Sequence, residues 1–168
     1  MRHRHPLPRL WLMTDERQGD GLLAAIDRLP RGAGIVFRHY ATPAPQRRAL
    51  WEKVRHTARQ RGLVLIVAGP ALPGADGTHN RRGAGLRTWS AHNRRELEAA
   101  TRADADLVFL SPVFATRSHA RATPLGPGRF ALLAHQARAP VIALGGVTAA
   151  RFRRLGGAYG WAGIDAWS

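Results

Sequence analysis

Short apolar runs alternate along the chain with longer stretches in which apolar residues recur at helical spacing. Buried parallel strands are apolar on both faces, whereas a helix that covers a sheet has a single apolar face. The alternation therefore predicts repeated β/α units around a parallel sheet. The predicted strands are 10–15, 34–39, 63–68, 77–79, 86–90, 107–111, 141–144 and 161–164.

Helical spacing predicts the segments between most of these strands. The predicted helices begin at 21–26 and then cover 43–62, 93–102, 127–138 and 148–155. In the second helix Leu50, Val54 and Ala58 share one face, and Gly62 marks its end. Asn93 and Glu96 have the spacing of a capping box at the start of the third.

Eight strands in chain order, with helices between most of them, predict an α/β fold: one compact (β/α)8 TIM-type barrel. The domain is expected to span 1–168, with a basic N-terminal extension at 1–9. Too little chain lies between Ala68 and Gly77 for a full helix after strand three, and the final helix is expected to be absent. Because this fold usually has about 200 residues or more, an open doubly wound sheet of fewer strands is the alternative.

Composition narrows the class of protein. No run approaches the ~18 apolar residues of a membrane span, and no signal-peptide pattern follows the basic start. We therefore expect a cytoplasmic protein with no membrane contact. Cysteine is absent, which excludes disulfides, thiolate metal sites and cysteine nucleophiles.

The chain is strongly basic, with a formal net charge of +15 from 26 basic and 11 acidic residues. Arginine neutralises phosphates, so a nucleic-acid-associated protein is one hypothesis. The arginines are nevertheless scattered, and no long basic tail is present. We interpret the charge as a compositional bias that attracts a small anionic ligand, and do not expect a nucleic-acid partner.

Gly145 and Gly146 follow a predicted strand and precede Thr148 and a short helix. Such a turn exposes main-chain N–H groups that no side chain covers, and a following helix adds positive potential. In barrels the loops after strands seven and eight are a common phosphate site. The alternative is a tight turn that needs glycine for steric reasons alone.

Three further segments carry candidate chemistry. One loop contains hydroxyls, a guanidinium and an imidazole, contributed by Ser111, Thr116 and the run 117–119 (Arg-Ser-His). This combination suits an anion, and the alternative is an ordinary polar loop.

Alternation along strand two places Arg38 at the barrel mouth if Phe37 and His39 face the other way. Ser90 ends strand five, where it is able to contact a ligand. His92 follows it and has a structural hydrogen bond as its alternative role. No HExxH motif is present, and we interpret no other residue spacing as a metal site.

Several segments together resemble thiamine phosphate synthase and its relative, the thiazole tautomerase. These segments are Gly74–His79, Ser90–His92, Ala105–Thr116, Leu125–Gly126 and Val141–Val147. The resemblance implies a thiamine-biosynthesis transferase that joins a hydroxymethylpyrimidine diphosphate to a thiazole phosphate and releases pyrophosphate with magnesium. It implies a small phosphorylated heterocycle as the ligand.

The resemblance also implies roles for individual residues. The residues that match the phosphate-binding positions are Thr116, Ser118, Gly145, Gly146, Ile164 and Asp165. Those that match or lie at catalytic positions are Arg38, Ser90, Thr116 and His119. A partner subunit over the strand-eight edge, in a homo-oligomer, is a further expectation.

The chain departs from the family pattern where the family binds metal and diphosphate. Val36 and Tyr40 stand where a glutamine and a lysine are usual, and Ala68 and Gly69 where an asparagine and an aspartate are usual. No carboxylate lies in 80–84, His119 replaces a lysine and Asp165 a serine. Pro112 replaces the catalytic histidine of the tautomerase. We therefore assign no metal ligand, although an active member would be expected to use magnesium. A barrel that binds a phosphate ester without the transferase reaction is the alternative.

Overall fold

A computed structural model describes residues 6–116 and 122–164 of the chain. Eight parallel strands follow one another around a closed barrel in chain order, and the last pairs with the first. This confirms the predicted barrel and excludes the open sheet. The strands are β1 Leu10–Met13, β2 Gly34–Phe37, β3 Val64–Ala68, β4 Gly77–His79, β5 Leu86–Ala91, β6 Leu107–Leu110, β7 Val141–Ala143 and β8 Gly160–Gly163.

Helices cover most of the outer wall. They are α1 Gly21–Asp27, α2 Ala44–Arg61, α3 Arg94–Arg102, α4 Gly126–Gln136 and α5 Ala149–Phe152, with a 3₁₀ turn at Glu16–Gln18 after β1. As predicted, β3 connects to β4 without a helix. The connection from β4 to β5 also lacks a helix, which the sequence analysis did not single out. Residues 165–168, which bear on the final helix, lie outside the described range.

The connection from β3 to β4 is covered by side chains of α2. Arg47 donates to the carbonyl oxygens of Ala68 (2.6 Å) and Pro70 (3.3 Å). Trp51 donates from Nε1 to the carbonyl oxygen of Pro73 (3.0 Å). These donors satisfy main-chain oxygens that a helix would have satisfied internally.

Two helix ends differ from the sequence prediction. Asn93 Oδ1 accepts from the Glu96 N–H as expected (3.0 Å), but the Glu96 carboxylate accepts from the N–H of His92 (2.8 Å) and not from that of Asn93. The predicted capping box is therefore only half formed. The last predicted helix, 148–155, shortens to α5, because Arg154 and Leu155 donate three residues back and wind its end into a tighter turn.

The barrel interior holds one of the apolar clusters, including Trp11, Val36, Ile66 and Phe109. Trp11 and Phe109 meet edge to face with ring centroids 5.3 Å apart. Since alternate strand residues face the same side, Arg38, directly after β2, follows Val36 to the inner face at the C-terminal end. Ser90 on β5 follows the interior residue Leu86 in the same way.

Among the described residues, no helix is long and apolar enough to cross a membrane. The single-domain boundaries, the cytoplasmic location and the homo-oligomer stay predictions.

Candidate functional site

The turn after β7 has a conformation that only glycine adopts readily. Gly145 has φ +92° and Gly146 has φ +61°. A Cβ on Gly145 would lie 2.8 Å from Pro112 Cα, and one on Gly146 would lie 2.6 Å from the carbonyl oxygen of Ala115. Steric demands therefore require both glycines, whatever else the turn does.

The main-chain donors of this turn are not used by the protein. Within residues 6–116 and 122–164, the N–H groups of Gly145 and Gly146 have no hydrogen-bond acceptor. Both residues are only partly buried. Buried or half-buried amides are normally paired, so these two donors are available to an anion at the barrel mouth.

The loop after β6 is fastened to this turn by its main chain. Val113 N–H donates to the carbonyl oxygen of Leu144 (2.9 Å), and Phe114 N–H to that of Gly145 (3.0 Å). Thr116, half-buried, follows after Ala115 and is the last residue described before the gap. The two predicted segments are thus brought together, while Ser118 and His119 lie outside the described residues.

The end of β8 is tied to the end of β1 by Gln18. Its Nε2 donates to the carbonyl oxygen of Ile164 (3.0 Å), and its Oε1 accepts from the N–H of Asp15 (2.8 Å). The N–H of Ile164 has no acceptor among the described residues. Asp165 lies beyond them. Sequence reasoning missed Gln18, since no motif surrounds it.

Arg151 supplies a positive charge at the glycine turn. Its Nη1 donates to the carbonyl oxygen of Gly146 (2.6 Å), and its guanidinium lies 4.8 Å from the centroid of the Phe114 ring. The sequence predicted that a helix would provide the positive potential here. With four residues, α5 has too few aligned peptide units for a substantial dipole, and the exposed arginine is the stronger source.

Arg38 lies on the other side of the mouth, with a side chain 16% exposed. Its Nε donates to the carbonyl oxygen of Thr14 (2.8 Å) and its Nη2 to Asp15 Oδ2 (3.2 Å). The Arg17 side chain, hydrogen-bonded to Asp15, lowers the pKa of that carboxyl, and the charge of Arg38 lowers it further. Nη1 of Arg38 makes no hydrogen bond to the described residues and remains available for a ligand.

Ser90 is held by two neighbours on β4 and just after it. Asn80 donates from Nδ2 to Ser90 Oγ (3.1 Å) and accepts the Ser90 N–H at Oδ1 (2.7 Å). His79 Nε2 lies 2.9 Å from Ser90 Oγ, and its Nδ1 lies 2.9 Å from Thr88 Oγ1. Burial, and then the charge of Arg38, lower the pKa of His79 to about 3, so the imidazole is neutral at pH 7.

The other strand-end histidines in the described residues have structural hydrogen bonds. His92 donates from Nδ1 to the carbonyl oxygen of Ser111 (2.8 Å), the role that the sequence left as its alternative. His39 stacks on Phe37, with centroids 4.8 Å apart, and its Nδ1 lies 2.9 Å from Thr14 Oγ1. Its ring shares the outer side of the wall with Phe37, opposite to Arg38.

The described residues at the mouth do not fit magnesium. β3 ends at Ala68 with Gly69 directly after it, and residues 80–84 contain no carboxylate. Asp15 is engaged by two arginines, and Glu16 Oε1 accepts the N–H of Ala41 (2.8 Å). Magnesium binds through carboxylate oxygens with near-octahedral geometry. No cluster of three or more metal-ligating side chains occurs in the part of the chain that the structure describes.

Comparison with known proteins agrees with the resemblance seen in the sequence. The family model of thiamine monophosphate synthase matches residues 83–166. The putative thiamine-phosphate synthase 2 of Aquifex aeolicus (strain VF5) is 30% identical over 180 residues, covering 95% of this chain and 97% of the relative.

Solved structures agree on the fold. Thiamine phosphate pyrophosphorylase from Pyrococcus furiosus has a TM-score of 0.77 at 22% identity, covering 95% of this chain and 86% of that one. A native KDPGal structure has a TM-score of 0.59 at 15% identity, covering 99% and 86%. At 22% and 15% identity, these two structures support the barrel fold alone. The family model and the Aquifex relative identify the family as well as the fold. The chain belongs to the thiamine monophosphate synthase family, and this membership supports a role in thiamine biosynthesis.

Proposed function

We propose that the chain binds the phosphate of a thiazole phosphate at the Gly145–Gly146 turn and joins it to a hydroxymethylpyrimidine group from its diphosphate. The observation that carries the proposal is the pair of unused N–H groups at this turn. A hydrogen bond from a neutral donor to a charged acceptor contributes about 1.5–3 kcal/mol. Two such bonds are enough to place the ester at one side of the mouth.

Neighbouring groups complete the phosphate site in this proposal. The N–H groups of Ile164 and Asp165, at the end of β8, would donate from the barrel's closing seam. Thr116 and Ser118 would donate from the loop after β6. Arg151, which already contacts Gly146, would balance the charge of the ester.

The reaction itself requires little proton transfer. The thiazole nitrogen attacks the methylene carbon of the pyrimidine, a C–N bond forms, and the bond from that carbon to the diphosphate oxygen breaks. The electron pair leaves with pyrophosphate. The protein's task is therefore to align the two substrates and to stabilise the departing negative charge.

Two of the groups proposed for that task, Arg38 and Ser90, lie at the carboxyl ends of β2 and β5. Arg38 carries a positive charge, and its Nη1 has no acceptor in residues 6–116 and 122–164. Ser90 has a hydroxyl at the same rim. His119 would take the place of the lysine that is usual in the family. Because the described residues at the mouth do not fit magnesium, arginine would neutralise the charge of the diphosphate.

A second function is favoured by the missing carboxylates around Ala68, Gly69 and 80–84. Without carboxylates at these positions, the chain would bind a thiazole phosphate, or another phosphate ester, and would not transfer a group to it. The glycine turn serves both functions, so only turnover separates them.

One experiment decides between the two functions. The purified protein is incubated with both substrates, with magnesium and separately with excess chelator, and thiamine phosphate and pyrophosphate are quantified together. Equal amounts of the two products above background, with chelator present, support the transferase. Thiazole phosphate binding by calorimetry without any product supports the second function, and the lack of both rejects the site.

A further inference from the structure

We propose that Arg47, on α2, supplies a fixed positive charge at the end of β3, where the family resemblance implies a magnesium ligand, and thereby excludes a divalent cation from that part of the mouth. Arg47 is then a specificity-determining residue, because its charge decides whether a cation can bind there. The inference goes beyond the proposed function, since it holds whichever ligand the glycine turn binds.

The guanidinium of Arg47 lies across Gly69, the residue that directly follows β3. Its Nη2 donates to the carbonyl oxygen of Ala68 (2.6 Å) and its Nη1 to that of Pro70 (3.3 Å), on either side of the glycine. A Cβ at Gly69 would lie 3.8 Å from Nη2, which is ordinary van der Waals contact. Any side chain at this position would therefore begin beside the charged group.

The charge of Arg47 has no counter-ion in the part of the chain that the structure describes. The residue is 6% exposed, none of its contacts with residues 6–116 and 122–164 is a carboxylate, and its Nε is buried without an acceptor. Arginine does not lose its proton in proteins. Because a buried charge is screened less than an exposed one, this guanidinium should repel a cation at the end of β3.

The other neighbours of Gly69 do not favour a cation either. Tyr40 presents ring carbons, with Cδ1 and Cε1 3.5 Å from the Cβ position of Gly69. Arg38, at the end of the adjacent strand β2, adds a second guanidinium, although Asp15 pairs with it (3.2 Å). Magnesium requires several oxygen ligands, and the main-chain oxygen atoms on both sides of Gly69 already accept from Arg47.

A carboxylate restored at position 69 would pair with Arg47 and would not bind a metal. With its Cβ 3.8 Å from Nη2, its oxygen atoms would reach hydrogen-bond distance of the guanidinium, and such charge-assisted bonds are strong. Gly69 has φ +72°, a conformation that aspartate and asparagine adopt more readily than most residues. Gly69→Asp alone should therefore not create a metal site, whereas Gly69→Asp combined with Arg47→Gln should.

Thermal unfolding at pH 7 with chelator tests the pairing. Gly69→Asp and Gly69→Asn introduce side chains of the same shape, so their difference reports the charge. With Arg47 present, the aspartate variant should melt about 2–4 °C above the asparagine variant, as expected for one partly buried ion pair. With Arg47→Gln, which keeps amide donors but no charge, the difference should vanish. An equal difference in both backgrounds would show that the two positions are not coupled and overturns the proposal.

Binding of Mn²⁺, followed by electron paramagnetic resonance at pH 7, tests the exclusion of a cation. Manganese prefers the same octahedral oxygen ligands as magnesium. The wild type and Gly69→Asp should show no saturable binding at this site up to about 1 mM, and Gly69→Asp with Arg47→Gln should bind at least tenfold more tightly than Gly69→Asp. Gly69→Asn with Arg47→Gln, which lacks the carboxylate, controls for the loss of positive charge alone.

A third background separates the charge of Arg47 from its structural contacts. Arg47→Lys keeps the charge and loses the planar fork that spans the two carbonyl oxygens. Combined with Gly69→Asp, it should exclude Mn²⁺ as arginine does. Binding equal to that of the Arg47→Gln combination would mean that packing, and not charge, controls the site, and would overturn the proposal. Circular dichroism checks that each variant retains the fold.

Two further outcomes overturn the proposal. In the first, Gly69→Asp binds Mn²⁺ while Arg47 is present, a result that remains decisive even if Arg47→Gln does not fold. In the second, the combination of Gly69→Asp and Arg47→Gln folds but does not bind, so Arg47 is not what excludes the cation. Phosphate binding at Gly145 and Gly146, measured separately by calorimetry, is independent of both.

Discussion

The two sides of the barrel mouth present different kinds of hydrogen-bond donor. On the β6–β8 side the donors are main-chain N–H groups at Gly145, Gly146 and Ile164, and none has an acceptor in the described protein. On the β1–β5 side the donors are side chains that are already held by one another, Arg38 by Asp15 and Ser90 by His79.

This difference explains where the family resemblance is strong. The family model matches residues 83–166, which contain β5 to β8 and the glycine turn. A main-chain site depends on the shape of the turn, so most surrounding side chains can vary without removing its donors. A site built from side-chain carboxylates depends on residue identity, and Ala68 and Gly69 at the end of β3 carry none.

The largest effect is expected from Gly146→Leu. A Cβ at this position would lie 2.6 Å from the carbonyl oxygen of Ala115, so the turn must move and its N–H groups with it. Loss of two hydrogen bonds to a charged acceptor should weaken thiazole phosphate binding by about 100-fold or more in calorimetry.

The matched control is Gly32→Leu. Gly32 also has a positive φ, +80°, but a Cβ there meets no atom within 4 Å, and the residue lies before β2 at the opposite end of the barrel. It should lose stability from backbone strain and keep its affinity. Unchanged affinity in Gly146→Leu would contradict the main-chain phosphate site.

Lowering the pH should decrease the free energy of unfolding, because His79 is buried as a neutral imidazole. Its pKa falls from 6.5 to about 3 on folding because of burial, so the unfolded chain binds more protons between these values. Stability therefore falls as the pH is lowered through this range. Relative to His79→Gln, the wild type should lose about 2.5 kcal/mol of unfolding free energy between pH 7 and about pH 4.5. Urea titrations at the two pH values measure it, and parallel losses in both proteins would argue against a buried neutral imidazole.

Arg38→Ala should weaken ligand binding on the β1–β5 side of the barrel mouth and leave binding on the β6–β8 side unchanged. We expect pyrophosphate to bind about tenfold more weakly, since the variant removes a charged donor, while thiazole phosphate affinity is unchanged. Arg48→Ala, which removes the same charge from an exposed position on α2, controls for net charge. An equal loss for both ligands would show that the two sides are not independent.

The smallest effect is expected from Arg151→Ala. The guanidinium is exposed, so its attraction for a phosphate is screened by solvent. Thiazole phosphate binding should weaken about threefold at low salt, and the difference should vanish at high salt. Arg153→Ala, exposed on the same segment, should have less effect, and an equal effect would mean that only overall charge matters.

Most of the barrel was predictable because its strands are short apolar runs separated by helical spacing. The missing helix after β3 followed from chain length alone. The end of α5 was not predictable, since the change to a tighter turn after Phe152 depends on main-chain geometry that no side-chain pattern records. The sequence pattern also did not indicate that the Glu96 carboxylate accepts a hydrogen bond from the main-chain N–H of His92.

In the candidate site, the glycine turn was visible because its signal is local. Gln18 was not, because its contact with Ile164 joins residues 146 positions apart and exists only when the barrel closes. Arg151 was hidden among many arginines, and the contacts of His79 depend on the register between β4 and β5. Interactions that arise from closure and register require the fold to be known.

The most direct test of the account is an NMR titration of ¹⁵N-labelled protein with thiazole phosphate. The amide signals of Gly145 and Gly146 should shift together and saturate at one dissociation constant, because a phosphate oxygen accepts from both. If those two signals remain fixed while amides elsewhere shift and saturate, the phosphate binds at another place and the account is wrong.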